Sequence, residues 1–238
     1  MHSSRKFFIA ASIVLFLHTA SAAFAAPGDA KDKVLRKLDA AAANFRSTSA
    51  DFQFDSVTTD PIPDDDIQKG MVYYERTGKA FQMAAHIETE NGKPAPKIYG
   101  IFGGVFKLYE GGKINQVTTF SKLGQFESWF MLGFGASGKE LEDKWEITYL
   151  GSDTLKDGKV SVKTEMLELI PKDPAVRKNL PKVRVWMDTE RGVSLKQVFD
   201  EGPGQYRVCV YFNITVNQPL PADAFTFKTN KQTVYVPR

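Results

Sequence analysis

Beyond residue 25 the chain keeps one histidine, His86, and one cysteine, Cys209. That scarcity excludes most chemistry at the start. Nucleophilic hydrolysis needs a Ser, Cys or Thr beside a base, and no Gly-x-Ser-x-Gly elbow is present. One cysteine allows neither an internal disulfide nor a Cys-rich metal site. Cys209 sits inside a run of strand-like alternation and reads as a small packed residue. His86 shares a strand face with Gln82 and Glu88, so it reads as a lone surface histidine. Asp64-Asp65-Asp66 invites a calcium reading. A calcium loop, however, spaces its oxygen ligands around a turn with a Gly and a distant Glu, so these aspartates read as a solvated loop over Thr59–Asp66. Gly103-Gly104 and Gly111-Gly112 each lie between two strand-like runs, whereas a phosphate cradle precedes a helix N-terminus. Asp and Glu are too common for a carboxylate pair to be picked out. No cofactor, no metal and no enzymatic activity are expected.

The elements that position these residues are mostly strands. Val160–Ile170, Lys182–Asp188, Val193–Phe199 and Tyr206–Val216 are strand-like runs. Their connections are short and rich in turn residues, Asp188–Gly192 and Glu201–Gly204 among them. Such connections imply an antiparallel meander, because parallel crossovers need about a dozen residues or more. In the last run Tyr206, Val208, Val210, Phe212, Ile214 and Val216 form an apolar face against a mixed one. Upstream, Gly70–Arg76 and Lys79–Glu88 read as a hairpin turning at Thr77-Gly78, with Phe81, Met83, Ala85 and Ile87 on one face. Asn91–Pro94 reads as a loop. Lys97–Phe102, Val105–Glu110 and Lys113–Thr119 follow as strands. Trp145–Leu150 is a further strand, followed by turns at Ser152-Asp153 and Asp157-Gly158. Asp173–Pro181 is one exposed helical turn. Pro219–Phe227 is a turn and a short closing strand, and Val234–Val236 adds another.

Two helices stand out. From Asp29 to Arg46, Val34, Leu35, Leu38, Ala41, Ala42 and Phe45 recur at helical spacing. From Ser121 to Phe134, Leu123, Phe126, Trp129, Phe130 and Phe134 do the same, and Met131 and Leu132 widen the apolar surface nearly all round. No charge occurs from Ser128 to Gly138. A helix apolar on most sides must be buried on most sides, and one sheet cannot bury it fully, so it is expected in the mouth of a curved sheet. Gly138–Asp143 reads as a short polar helical turn.

Residues 1–25 read as a cleaved export signal, with basic Arg5-Lys6, apolar Phe7–Leu17 and a small-x-small site at Ala23-Phe24-Ala25. The apolar run is shorter than the roughly 20 residues a membrane span needs. Residues 26–238 are then one exported, soluble domain. Residues 1–25 hold two of the 31 Lys and Arg and no Asp or Glu, which leaves 29 basic against 28 acidic residues. That balance carries no signal for nucleic acid or an anionic membrane.

The order of elements resembles a known family. An amphipathic helix precedes Phe-x-Ser-x-x-Ala-Asp-Phe (Phe45 to Phe52), a hairpin with Arg at its tip and a Gly-Gly hairpin. An uncharged Phe-rich helix, Leu-Glu-Leu-Ile-Pro-Lys (Leu167–Lys172), Asp-x-x-x-Gly (Asp188–Gly192) and Phe-Thr-Phe (Phe225–Phe227) follow. This is similar to the periplasmic outer-membrane lipoprotein carriers of the LolA type, over about residues 30 to 230. The resemblance implies a mainly β fold: an unclosed half-barrel of curved antiparallel sheet with a lid of helices over the open side. It implies a monomeric periplasmic carrier for lipoprotein acyl chains, loaded by an ATP-driven inner-membrane release complex and unloaded to an outer-membrane acceptor. It makes Arg76, by position, the latch that holds the lid shut. With the apolar faces above, it makes Phe81, Met83, Phe102, Leu108, Phe126, Trp129, Phe130 and Phe134 the expected lipid contacts. The alternative is a carrier or sensor for another hydrophobic ligand on the same fold.

Overall fold

The computed structural model describes residues 27–60, 62–78, 80–120 and 132–238. The expected export signal and most of the expected Phe-rich helix, including Phe126, Trp129 and Phe130, lie outside the described residues. Among those described, the chain runs α1 (Pro27–Asn44), β1 (Ser47–Thr58), β2 (Asp64–Thr77), β3 (Ala80–Glu90), β4 (Lys93–Phe102), β5 (Val105–Glu110) and β6 (Gln116–Phe120). It continues with α2 (Gly138–Lys144), β7 (Trp145–Asp157), β8 (Val160–Pro171), α3 (Pro174–Arg177), β9 (Lys182–Asp188), β10 (Val193–Gly202), β11 (Gln205–Val216) and β12 (Val234–Pro237). No helix among them is long and apolar enough to cross a membrane.

The strands form one sheet in the order β12-β6-β5-β4-β3-β2-β1-β11-β10-β9-β8-β7. β7 and β12 stand at opposite edges, so the sheet is curved but not closed, the expected half-barrel. Two antiparallel meanders, β2–β6 and β7–β11, are joined by β1, which pairs with β2 on one side and β11 on the other. Curvature brings the tip of the β7–β8 hairpin back over β11: Leu155 and Val162 pack against the core cluster to which β11 contributes Cys209, Tyr211 and Ile214, and Asp157 Oδ1 accepts the Ile214 N–H at 3.0 Å. Arg191 fixes this fold-back, reaching Asp188 at 2.6 Å and Asp157 at 2.7 Å.

α1 covers one half of the concave face. Its stripe of Val34, Leu35 and Leu38 packs on Leu167 and Leu169 of β8 and Val183, Val185 and Met187 of β9. Leu38 is fully buried, so truncating it to Ala would cost about 2–5 kcal/mol. The chain beyond β11 covers part of the convex face instead. Phe225 and Phe227 pack on Ile98, Tyr109 and Val117, and the Tyr109 hydroxyl donates to the Lys228 carbonyl at 2.6 Å.

Several expectations change. Asp64–Asp66 are not a loop tip; they begin β2 and pair in turn with Thr58, Val57 and Ser56 of β1. Asn91-Gly92 is a two-residue turn with both φ values positive (51° and 73°), so β4 already starts at Lys93. No turn occurs at Ser152-Asp153, because a bulge between Tyr149 and Gly151 lets β7 run on to Asp157. Pro219–Phe227 forms no strand, as its aromatic residues pack on a sheet face rather than an edge. Val234–Pro237 does add a strand, parallel to β6. The Asp173–Pro181 segment, expected as an exposed helical turn, is tied down: Arg177 donates to the Pro171 carbonyl (2.7 Å) and pairs with Glu146 (2.9 Å), and Val176 and Leu180 are buried. His86 is half-buried on the convex face, 2.9 Å from the Ala224 carbonyl and edge-on to Tyr73 at 5.1 Å. Burial lowers its pKa.

Candidate lipid-binding cavity

The half of the concave face that α1 leaves uncovered holds a cavity of about 430 Å³. Its walls come from both meanders. β1 gives Phe52 and Phe54, β2 gives Val72, β3 gives Met83, Ala85 and Ile87, and β4 and β5 give Tyr99 and Phe106. From the far side come Phe199 on β10 and Cys209 and Tyr211 on β11. Strand alternation places them, since residues two apart share a face. The register then stacks them across strands: Phe54 faces Cys209, Ala85 faces Tyr99 and Val72 faces Ala85.

One end of the cavity is closed by a buried amide. Gln197 Nε2 donates to the Leu132 carbonyl at 2.5 Å, and the Tyr211 hydroxyl donates to Gln197 Oε1 at 3.4 Å. The incoming segment must lie very close to β10 for this. Gly133 has φ 95°, and a Cβ there would sit 2.3 Å from Gln197 Nε2. Gly135, at φ 66°, packs on the Phe45 ring in the same way. The other end is polar: Ser56, Gln68, Glu201 and Arg207 line it, and Arg207 Nη2 pairs with Glu201 Oε1 at 2.9 Å. The walls between are uncharged. Burial pushes the Cys209 thiol up to about 12 and raises the Tyr99 and Tyr211 phenols, so all three are neutral at physiological pH.

The expected contact residues separate. Met83 lines the cavity. Leu108 faces Tyr99 in register and so lies on the concave side. Phe81 is half-buried against Tyr74, with ring centres 5.8 Å apart, beyond the closed end. Phe134 is buried in the core there, stacked near Tyr74 (6.2 Å) and edge-on to Tyr211 (4.9 Å), and it bridges to Val193. Phe102 does not join them. It points to the convex face and meets Phe227 at 5.3 Å, because β4 alternates and Tyr99, three residues earlier, takes the concave side. On β11 the inner face is the mixed one. Arg207, Cys209 and Tyr211 line the cavity, and Val208 and Val210 lie half-buried on the outside.

Arg76 sits at the end of β2, next to the N-terminus of α2. Its Nη1 lies 3.6 Å from Glu140 Oε1. Glu140 is also the third residue of a capping box: its Oε2 accepts from the Ser137 N–H (2.9 Å) and hydroxyl (3.1 Å), and Ser137 Oγ accepts from the Glu140 N–H. Two buried polar atoms, Arg76 Nη2 and the Tyr74 hydroxyl, interact with each other but form no hydrogen bond of good geometry. Among the described residues Arg76 therefore meets a helix through a side chain and not through backbone carbonyls. Among those residues, too, no group of His, Cys, Asp and Glu is arranged to hold a metal ion.

No protein-family profile matches the sequence, and no curated protein matches it either. Among solved structures, the chain is similar to a DUF1329 family protein from Desulfovibrio piger, with 12% identity and a TM-score of 0.46 over 85% of this chain and 98% of that one. It is similar to LprF from Mycobacterium bovis, with 13% identity and a TM-score of 0.44 over 83% and 97% of the two chains. A LolA superfamily protein from Nitrosomonas europaea is 14% identical over 83% and 97%, with a TM-score of 0.39, so the structural neighbours of this half-barrel include the LolA superfamily at low sequence identity.

Proposed function

We propose that this protein is a periplasmic carrier, not an enzyme, that takes an acyl chain into the concave cavity and hands it on. The observation that carries this reading is a cavity of about 430 Å³, walled by apolar side chains and neutral phenols, in a sheet that does not close. That volume lies within the range of small-molecule sites. Apolar cavities hold apolar guests rather than water, and each buried CH₂ contributes about 0.8 kcal/mol. The cargo in this reading is the acyl chain of a lipoprotein bound for the outer membrane, received from an inner-membrane release complex. The Arg76–Glu140 contact is the latch that favours the shut form.

The test is direct. Protein purified from its native periplasm should release lipid on organic extraction, read by mass spectrometry. The emptied protein should take up the uncharged dye N-phenyl-1-naphthylamine with a rise in fluorescence. A protein that carries no lipid and takes up no dye is not a lipid carrier.

A further inference from the structure

The polar end of the cavity has a chemistry of its own. Ser56 of β1 pairs with Arg207 of β11, and Arg207 pairs with Phe199 of β10, so the three lie in one row across the sheet. Gln68 of β2 sits opposite Phe54, one step further in. Glu201, two residues beyond Phe199, is the unpaired residue of a bulge between Asp200 and Gly202 and also lines this end. An acyl chain lying along the apolar walls with its tail toward Gln197 would bring its polar group to this row.

Charge decides which polar group fits. The Arg207 guanidinium lies 5.9 Å from the Phe54 ring centre and 2.9 Å from Glu201. The described residues give it that one ionic partner, whereas a guanidinium has five N–H donors. A carbonyl oxygen can accept from the remaining donors without displacing Glu201. A free carboxylate or phosphate meets Glu201 at once. It also meets Asp66, whose Oδ2 lies 3.5 Å from the Gln68 amide nitrogen. Gln68 is held by Glu90 through that nitrogen at 2.9 Å, so its carbonyl oxygen is the end that can accept from a ligand hydroxyl. The Ser56 hydroxyl can donate or accept. The row thus offers donors for a carbonyl and acceptors for a hydroxyl, while its one guanidinium charge is already balanced.

We infer that this mouth selects acyl chains joined through an uncharged ester or amide linkage and disfavours free fatty acids, with Arg207 as the reading residue and Glu201 as the filter. The inference rests on the carrier reading above and names its ligand class.

The probes are monolauroylglycerol and laurate, which share a chain and differ in the head group. Each is titrated against bound N-phenyl-1-naphthylamine at pH 8, where laurate is ionised, and at low salt. In the unaltered protein monolauroylglycerol should displace the dye at about tenfold lower concentration. Glu201→Gln leaves the Arg207 charge unbalanced, so the preference should shrink to parity or invert in favour of laurate. Arg207→Gln should weaken monolauroylglycerol about tenfold, with Arg207→Lys between the two. Melting temperatures of the three variants show that each is folded. Equal displacement by both probes, or a preference unmoved by Glu201→Gln, overturns the inference and leaves the carrier reading standing. Failure of the unaltered protein to bind the dye or either probe overturns both.

Discussion

If Arg76 is a latch, it must be a weak one, and the geometry says how weak. Its Nη1 lies 3.6 Å from Glu140, with the two side chains 18% and 46% exposed. Pairs with this much water contribute about 0.2–1 kcal/mol. Against that, Nη2 is buried beside the Tyr74 hydroxyl in a contact that falls short of a well-formed hydrogen bond, which costs about 1 kcal/mol, the low end for a buried donor. The two effects nearly cancel, so Arg76→Leu should change global stability by no more than about 1 kcal/mol in either direction. For a chain of this size that is about 2–4 °C in Tm. The coupling between Arg76→Leu and Glu140→Gln in a double-mutant cycle should be about 0.3–1 kcal/mol, enough to move a shut–open equilibrium up to about fivefold. Urea denaturation supplies the cycle. Transfer of a lipidated cargo to acceptor vesicles supplies the function: Arg76→Leu should retain cargo and pass it on more slowly, and Arg76→Lys should lie between. A stability loss above about 3 kcal/mol would make Arg76 a structural strut. Transfer at the unaltered rate would remove the latch.

Other perturbations probe the cavity and its surroundings. Ala85→Phe fills cavity space rather than packed core, so it should cut dye uptake severalfold while lowering stability by less than about 1 kcal/mol; a loss of 1–3 kcal/mol, typical of overpacking, would mean that the space is not there. Cys209 has its thiol pushed up to about 12 by burial, so N-phenylmaleimide should react with it far more slowly than with a free thiol, and more slowly still with monolauroylglycerol bound. A rate indifferent to ligand would place Cys209 outside the bound chain. His86 has a lowered pKa in the fold. The unfolded chain therefore binds its proton first, and the contribution of neutral His86 is present above about pH 6.5 and lost as pH falls below it. Denaturant midpoints should fall from pH 7 to pH 5 more steeply than in His86→Gln, and equal slopes would exclude His86 as the titrating group.

Element type was legible where periodicity is strong. α1, the β2–β3 hairpin and the β8–β11 meander lie where alternation and turn residues put them. Facing was less so. Val208 and Val210 are more apolar than Arg207 and Cys209, yet the latter pair turns inward. Both β11 faces are apolar enough to bury, and the curvature that chooses between them comes from strand pairing far away in sequence. Phe102 went outward for a related reason. Its cover is Phe227, more than a hundred residues on, in a segment with no periodicity of its own. The polar end of the cavity was invisible too, because Ser56, Gln68, Glu201 and Arg207 meet only through register. What could be read of Arg76 was its position at a hairpin end; its partner Glu140 belongs to a capping box with no motif in common with it.

The position of β1 sets a timetable for folding. Each meander is built from neighbouring hairpins and can zip as it emerges. The seam between them cannot, since Thr48 Oγ1 donates to the Thr215 carbonyl across 167 residues of chain. Closing so long a loop costs about 4.5 kcal/mol in chain entropy before any contact across it forms, so the seam belongs to the slow, late part of folding. The cavity straddles that seam, with Phe54 on one lip and Cys209 on the other. Neither half holds the complete cavity, so a chain still being synthesised has nowhere to hold a guest. Occupancy can begin only once β11 has arrived, and the ability to bind becomes a late marker that the whole molecule is finished.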